Sequence, residues 1–244
     1  MRALSAAELL HVWEHGAGQP PVQRGLMLFV LAAEETPVEQ LARMPVGQRD
    51  AHLLALRRET FGSQLVSLAT CPGCSSQVEF QVEADDLLAR AIPERPAELG
   101  LAEGDYQVEF RLPTSFDLGT LDPAADVEKN RRRLLERCVT RASRSGQEVA
   151  VAELPEEVRA AIARRMAEAD PQADVQLALA CPECRHDWQT QFDIVSYFWA
   201  EIHAWARQML RDIHTIASAY GWGEAEVLAL TPTRRQAYLE LIGS

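Results

Sequence analysis

Hydrophobic positions change their spacing several times along the chain, and each change marks an element. Over the first sixty residues the spacing is helical. Ser5 is placed to cap a short helix, and Pro20-Pro21 opens a second that carries the apolar run Leu26 to Ala33. Thr36-Pro37-Val38-Glu39 offers a hydroxyl, a proline and a carboxylate in capping-box order, which predicts a third helix reaching about Met44. After Pro45-Val46-Gly47, Leu53, Leu54 and Leu56 recur from Gln48 to Thr60, and Gly62 stands where a helix would end.

The period then drops to two. Leu65 to Ala69 leads into Cys71-Pro72-Gly73-Cys74, beyond which Val78, Phe80 and Val82 alternate with Glu79, Gln81 and Glu83, the pattern of a hairpin. The order returns later, where Val175, Leu177 and Leu179 precede Cys181-Pro182-Glu183-Cys184, and Trp188, Thr190 and Phe192 alternate behind it. A third alternating run, Tyr106, Val108 and Phe110, predicts a strand in the same or a neighbouring sheet. Between the half-sites, residues 124–143 and 155–169 read as helices, the second with Glu156 and Glu157 at its positive end. A long helix follows Asp193, with Ile202, Ala206, Met209, Ile213, Ile216 and Tyr220 in three- and four-residue steps. It stops at Gly221. A short helix over 223–228 and a last one from Pro232 to Leu239 complete the reading.

The cysteines convert this pattern into chemistry. A tetrahedral Zn(II) ion needs four thiolate or imidazole donors, and two residues between cysteines let one tight turn present both sulfurs. Cys71, Cys74, Cys181 and Cys184 form two such turns, separated by residues 75–180, and together predict one structural zinc site. The fold class expected is therefore α+β, mostly helical, with a small antiparallel zinc-ribbon-like sheet built from the two hairpins. Its parts are an N-terminal helical layer (1–64), the β unit (65–85 and 174–192) with an inserted strand and helices (86–173), and a C-terminal helical region (193–244).

Other readings compete at these residues. A thiol-disulfide oxidoreductase would use Cys71 and Cys74, but such a pair sits at a helix N-terminus, and here strand patterns follow. His186 lies close enough in sequence to substitute as a ligand, although four thiolates leave it the role of a hairpin surface residue. Cys138, within a helical pattern, reads as a buried small hydrophobe. A zinc-ribbon nucleic-acid adaptor would use the basic residues of 129–144, which lack the interleaved aromatics of single-strand binders and read as a solvated helix face. His203 and His214 are three helical turns apart, about 16 Å, too far to share a metal. The aromatics Trp188, Tyr197, Phe198, Trp199, Trp205, Tyr220 and Trp222 concentrate in the last quarter and raise an apolar docking face beside the core they must also build.

Composition sets the outer limits. The 244 residues carry 24 basic and 36 acidic side chains, a net charge of −12 that repels polyphosphate, so nucleic acid is not an expected partner. The longest apolar run is under half of the ~20 residues a membrane span needs, and Glu8, His11, Glu14 and His15 interrupt the N-terminal stretch where a secretory signal would be apolar. The expected location is the cytoplasm. Neither a phosphate-cradling glycine loop, nor a GxSxG elbow, nor HExxH occurs, which turns the expectation away from an enzyme.

The ordered segments PVGQRDAHLLALRRETFG (45–62), CPGC (71–74), VEFQV (78–82), YGWGEAEVLAL (220–230) and RRQAYLELI (234–242) resemble proteins of phage-tail-like contractile injection clusters. The chain is similar to the T-even phage baseplate hub assembly chaperone family, over its first 85 and last 50 residues in particular. The resemblance implies a non-enzymatic structural or assembly protein of a contractile-particle baseplate, with other baseplate, tube or hub subunits as partners and incorporation into a released particle as an alternative to the cytoplasm. The zinc site rests on cysteine spacing alone and is not implied by the resemblance.

Overall fold

The computed structural model describes residues 2–33, 37–88 and 98–243. Capping fixes where the first helices begin. In α1 (Ala6–Gly16) the Ser5 hydroxyl accepts from the Glu8 amide and the Glu8 carboxylate accepts from the Ser5 amide. Pro21 opens α2 (Pro21–Ala32), and α3 (Val38–Ala42) follows Pro37. The cap expected from Thr36 lies outside the described residues. The fourth helix, α4 (Val46–Phe61), ends at Gly62 as its sequence predicts.

Two antiparallel ladders carry the cysteines: β1 (Gln64–Thr70) with β2 (Gln77–Glu83), and, after the insert, β7 (Val175–Ala180) with β8 (Asp187–Phe192). The single sheet expected from these hairpins does not form. Each remains a two-stranded sheet of its own, and the widest sheet belongs to the insert, in the order β3 (Leu99–Glu103), β4 (Tyr106–Phe110), β5 (Val139–Arg144), β6 (Gln147–Glu148). The insert also holds α6 (Ser115–Leu118), α7 (Val127–Cys138) and α8 (Glu156–Ala169), while α5 (Ala84–Leu88) follows β2.

One predicted helix is corrected here. The helical reading of 124–143 holds only over α7, because β-branched Val139 and Thr140 turn into a strand that pairs with β4 and buries Ala142. There β-branched residues and pairing with β4 together override the helical pattern that continues from α7. The C-terminal helices are α9 (Ile194–Tyr220), capped by Asp193, α10 (Glu224–Leu228) and α11 (Pro232–Gly243), the last running four residues beyond its expected end. Among the described residues no helix is long and apolar enough to cross a membrane.

Apolar side chains collect into separate cores. Leu28 and Phe29 of α2, Leu53, Leu54 and Leu56 of α4, and Phe198 and Ile202 of α9 meet Leu65, Val175 and Leu177 of the two hairpins. A second core lies within the insert around Phe110, Leu112, Leu135, Leu154 and Ile162. The distal half of α9 forms a third with Leu10 and Val227. The first two cores join along Pro45-Val46-Gly47. Val46 donates to the Pro113 carbonyl at 2.9 Å, and the Gly47 amide donates to the Asp170 carboxylate at 2.9 Å. A Cβ on Gly47 would lie 2.0 Å from that carboxylate, so only glycine permits the approach.

Two buried polar knots reinforce these joints. Arg57, on α4, bonds both carboxylate oxygens of Glu201 on α9, at 2.8 and 2.5 Å, and the Gly62 carbonyl at 2.8 Å, which ties α4 to α9 at the start of β1. In the insert the fully buried Asp117 accepts from Arg111 at 2.6 and 2.9 Å, from Arg137 at 3.0 Å and from the Thr114 amide and hydroxyl. Burial alone would raise its carboxyl, but the bonds from Arg111 and Thr114 outweigh it and hold the group well below the usual carboxylate range.

Asp117→Ala should therefore destabilise the chain by about 3 kcal/mol, the lower end for breaking a buried ion pair because both arginines keep partial access to water. Urea unfolding of parent and variant measures the difference. A change below about 1 kcal/mol, the yield of one ordinary hydrogen bond, would mean the knot is not what joins α6 to α7 and β4.

Candidate metal centre

The two cysteine turns fold alike although they share only the cysteines and proline. In the first, the Cys71 amide donates to the Ser76 carbonyl at 2.9 Å and the Ser75 amide to the Cys71 carbonyl at 2.8 Å. In the second, Cys181 donates to His186 at 2.9 Å and Arg185 to Cys181 at 2.9 Å. Ser75 and Arg185 both take left-handed backbone angles, with φ of 63° and 61°. Each turn reverses its strand while both of its sulfurs point the same way, and the Gly73 amide donates to the Cys71 sulfur at 3.4 Å.

The two turns then face each other. Cys71 Sγ lies 3.6 Å from Cys184 Sγ, Cys74 Sγ lies 3.6 Å from Cys181 Sγ, and all four sulfurs fall within 4.8 Å of one another. Four Zn–S bonds of about 2.3 Å in a regular tetrahedron put sulfurs about 3.8 Å apart, so the cluster has the dimensions of that shell. Four protein donors close it, leaving no position for a reacting water. The first cysteine of each turn is buried and the second exposed, with Val78 and Trp188 packed beneath. Gly73 is again a close approach: a Cβ there would come within 3.2 Å of His186 and 3.5 Å of Cys184 Sγ.

As free thiols the two exposed cysteines, Cys74 and Cys184, hold their protons unequally. The Ser76 hydroxyl and amide bonds, with help from Cys184 and Cys181, hold Cys74 down to about 6. At Cys184 the His186 backbone bond pulls the same way, but the bonds with Cys74, burial and the neighbouring thiols outweigh it and push it up to about 12. Like charges at this spacing repel, so Cys74 and Cys184 do not readily ionise together without a cation. A divalent ion would displace the remaining protons.

The other residues singled out by sequence take structural places. His186 is an exposed hairpin residue stacked on Trp188. Cys138 is fully buried and pushed up to about 11 by burial and by Asp117. His203 and His214 are exposed, and Trp13 Nε1 donates to His203 Nδ1 at 3.0 Å. Of the basic residues in 129–144, Arg131, Arg132, Arg137 and Arg144 sit in ion pairs with Glu128, Glu156, Asp117 and Asp105. The patch is thus largely neutralised. Phe198 and Trp199 enter the core, while Tyr220 stacks on Trp222 and Tyr238 meets both rings edge-on, which accounts for much of the aromatic excess.

Sequence reasoning passed over Asp50. It is buried against Arg49, which also bonds Ser115, and burial pushes its carboxyl from 3.8 up to about 6 against the pull of Arg49. Nothing in the local pattern of α4 distinguishes it from a surface acid.

In the reduced, metal-free chain, iodoacetamide at about pH 7 should alkylate Cys74 first and Cys138 last, since the first is exposed with a lowered thiol and the second is buried with a raised one. Mass-spectrometric mapping of the modified sites reads the order. Early labelling of Cys138 would contradict its packing.

No curated protein and no solved structure matches the chain. The model of the family described as T4 bacteriophage base plate protein matches residues 26–199. That span runs from α2 through both cysteine turns into α9. It includes the middle of the chain, where the sequence resemblance is weakest, and stops before the C-terminal segments that also carry it. On a match of that extent the chain belongs to the T4 bacteriophage base plate protein family.

Proposed function

We propose that this chain is a non-enzymatic adaptor or assembly subunit of a contractile-tail baseplate, held in shape by one structural zinc on Cys71, Cys74, Cys181 and Cys184. The family match over residues 26–199 carries the first half, because it spans most of the first core, the insert with its own core and both cysteine turns rather than one short motif. The four converged sulfurs support the second. Zinc would supply charge neutralisation and a link between two segments distant in sequence; the protein groups orient it through the paired turns and shield it with Val78 and Trp188. Other baseplate, tube or hub subunits are the partners that fit, engaged through the helical and insert surfaces that the staple holds in register.

Two experiments test the halves separately. Purified protein should contain one zinc per chain, and Cys181→Ser should lose it. Linking positions 107 apart is worth about 5 kcal/mol of chain entropy, and the variant should melt roughly 10 °C lower. Equal melting of parent and variant would remove the staple. Co-expressed with the remaining baseplate genes of its own cluster, the tagged chain should co-purify with baseplate or tube subunits at fixed stoichiometry. A chain recovered alone under conditions where those subunits assemble would count against the adaptor role.

A further inference from the structure

The 3.6 Å sulfur contacts run between the two turns: Cys71 with Cys184, and Cys74 with Cys181. Each contact joins one exposed and one buried cysteine. This arrangement gives oxidation a direction. An oxidant arriving from solvent meets Cys74 and Cys184 first, and behind each of them stands a buried sulfur of the opposite turn. We propose that peroxide converts the cluster into two cross-turn disulfides, Cys71–Cys184 and Cys74–Cys181, so that the tertiary link outlasts the metal.

The chemistry balances with peroxide as the only co-reactant. The Cys74 thiolate attacks one peroxide oxygen; an S–O bond forms, the O–O bond breaks, and hydroxide leaves. The Cys181 thiolate then attacks the Cys74 sulfur, forming the S–S bond and expelling the second hydroxide. Two electrons pass from the sulfurs to the peroxide. The same pair of steps joins Cys184 to Cys71, and a divalent ion that has lost its thiolates departs. Closing each pair needs the sulfurs to move from 3.6 Å to the roughly 2.05 Å of a disulfide. Cys138, fully buried in the insert, takes no part. Metal release rests on the zinc reading above; the pairing rests only on where the fold holds the sulfurs.

Peroxide treatment of the full reduced chain, followed by tryptic mapping of the monomer band without reduction, decides the matter. Both cysteines of the first turn fall in fragment 59–90 and both of the second in fragment 166–185. The expected product is these two fragments joined. The double variants Cys71→Ser/Cys184→Ser and Cys74→Ser/Cys181→Ser should each still join them through the remaining pair. Separate fragments with internal disulfides, cysteines halted as sulfinic acid, or links between two chains would each overturn the proposal, as would failure of both double variants to join while the parent does. Zinc measured before oxidation is an independent readout: its absence would remove the metal reading and leave the disulfide map to be judged on its own.

Discussion

A two-stranded hairpin cannot hold itself together in water, and two of them stand alone as sheets among the described residues. Each must borrow stability from elsewhere. One source is the helical layer, through Leu65, Val175 and Leu177, which enter the same core as α4 and α9. The other is the opposite hairpin, through the facing cysteine turns and the small core of Val78 and Trp188. Because the hairpins stand at the two ends of a long insert, bringing them together also fixes where the insert begins and ends. The seam at Pro45-Val46-Gly47 and the knot around Asp117 then settle its orientation and its interior.

Much of this was legible in the sequence because the relevant signals are local. Ser5 with Glu8, Pro21, Gly62, Asp193 and Gly221 mark helix ends by chemistry that acts within a few residues, and the helices begin or end beside them. The cysteine turns were legible for the same reason. The fate of Val139 to Arg144 was not, because that segment continues a helical pattern and becomes a strand only when β4 lies beside it. The separation of the hairpins into two sheets is likewise decided by packing that no run of alternating residues encodes.

The polar interior was the least legible part. Arg57, Asp50 and Asp117 look in sequence like ordinary surface charges among other charges. Their burial depends on partners 144, 1 and 6 positions away, so spacing rules that work within a helix turn see at most the neighbour and miss the reason. The candidate metal site fares better only because two residues between cysteines is a pattern with few other uses.

Tyr197 carries a last consequence. Its hydroxyl accepts from the Val66 amide at 2.9 Å and donates to the Val66 carbonyl at 3.0 Å, occupying both outward backbone groups of the third residue of β1. An exposed strand edge is a template on which any other extended chain can grow, and such templates invite indiscriminate polymerisation. One phenol interrupts that template at Val66. Strand addition along this edge of β1 is thereby blocked at Val66, and whatever meets the edge there must engage side chains rather than pair with the backbone.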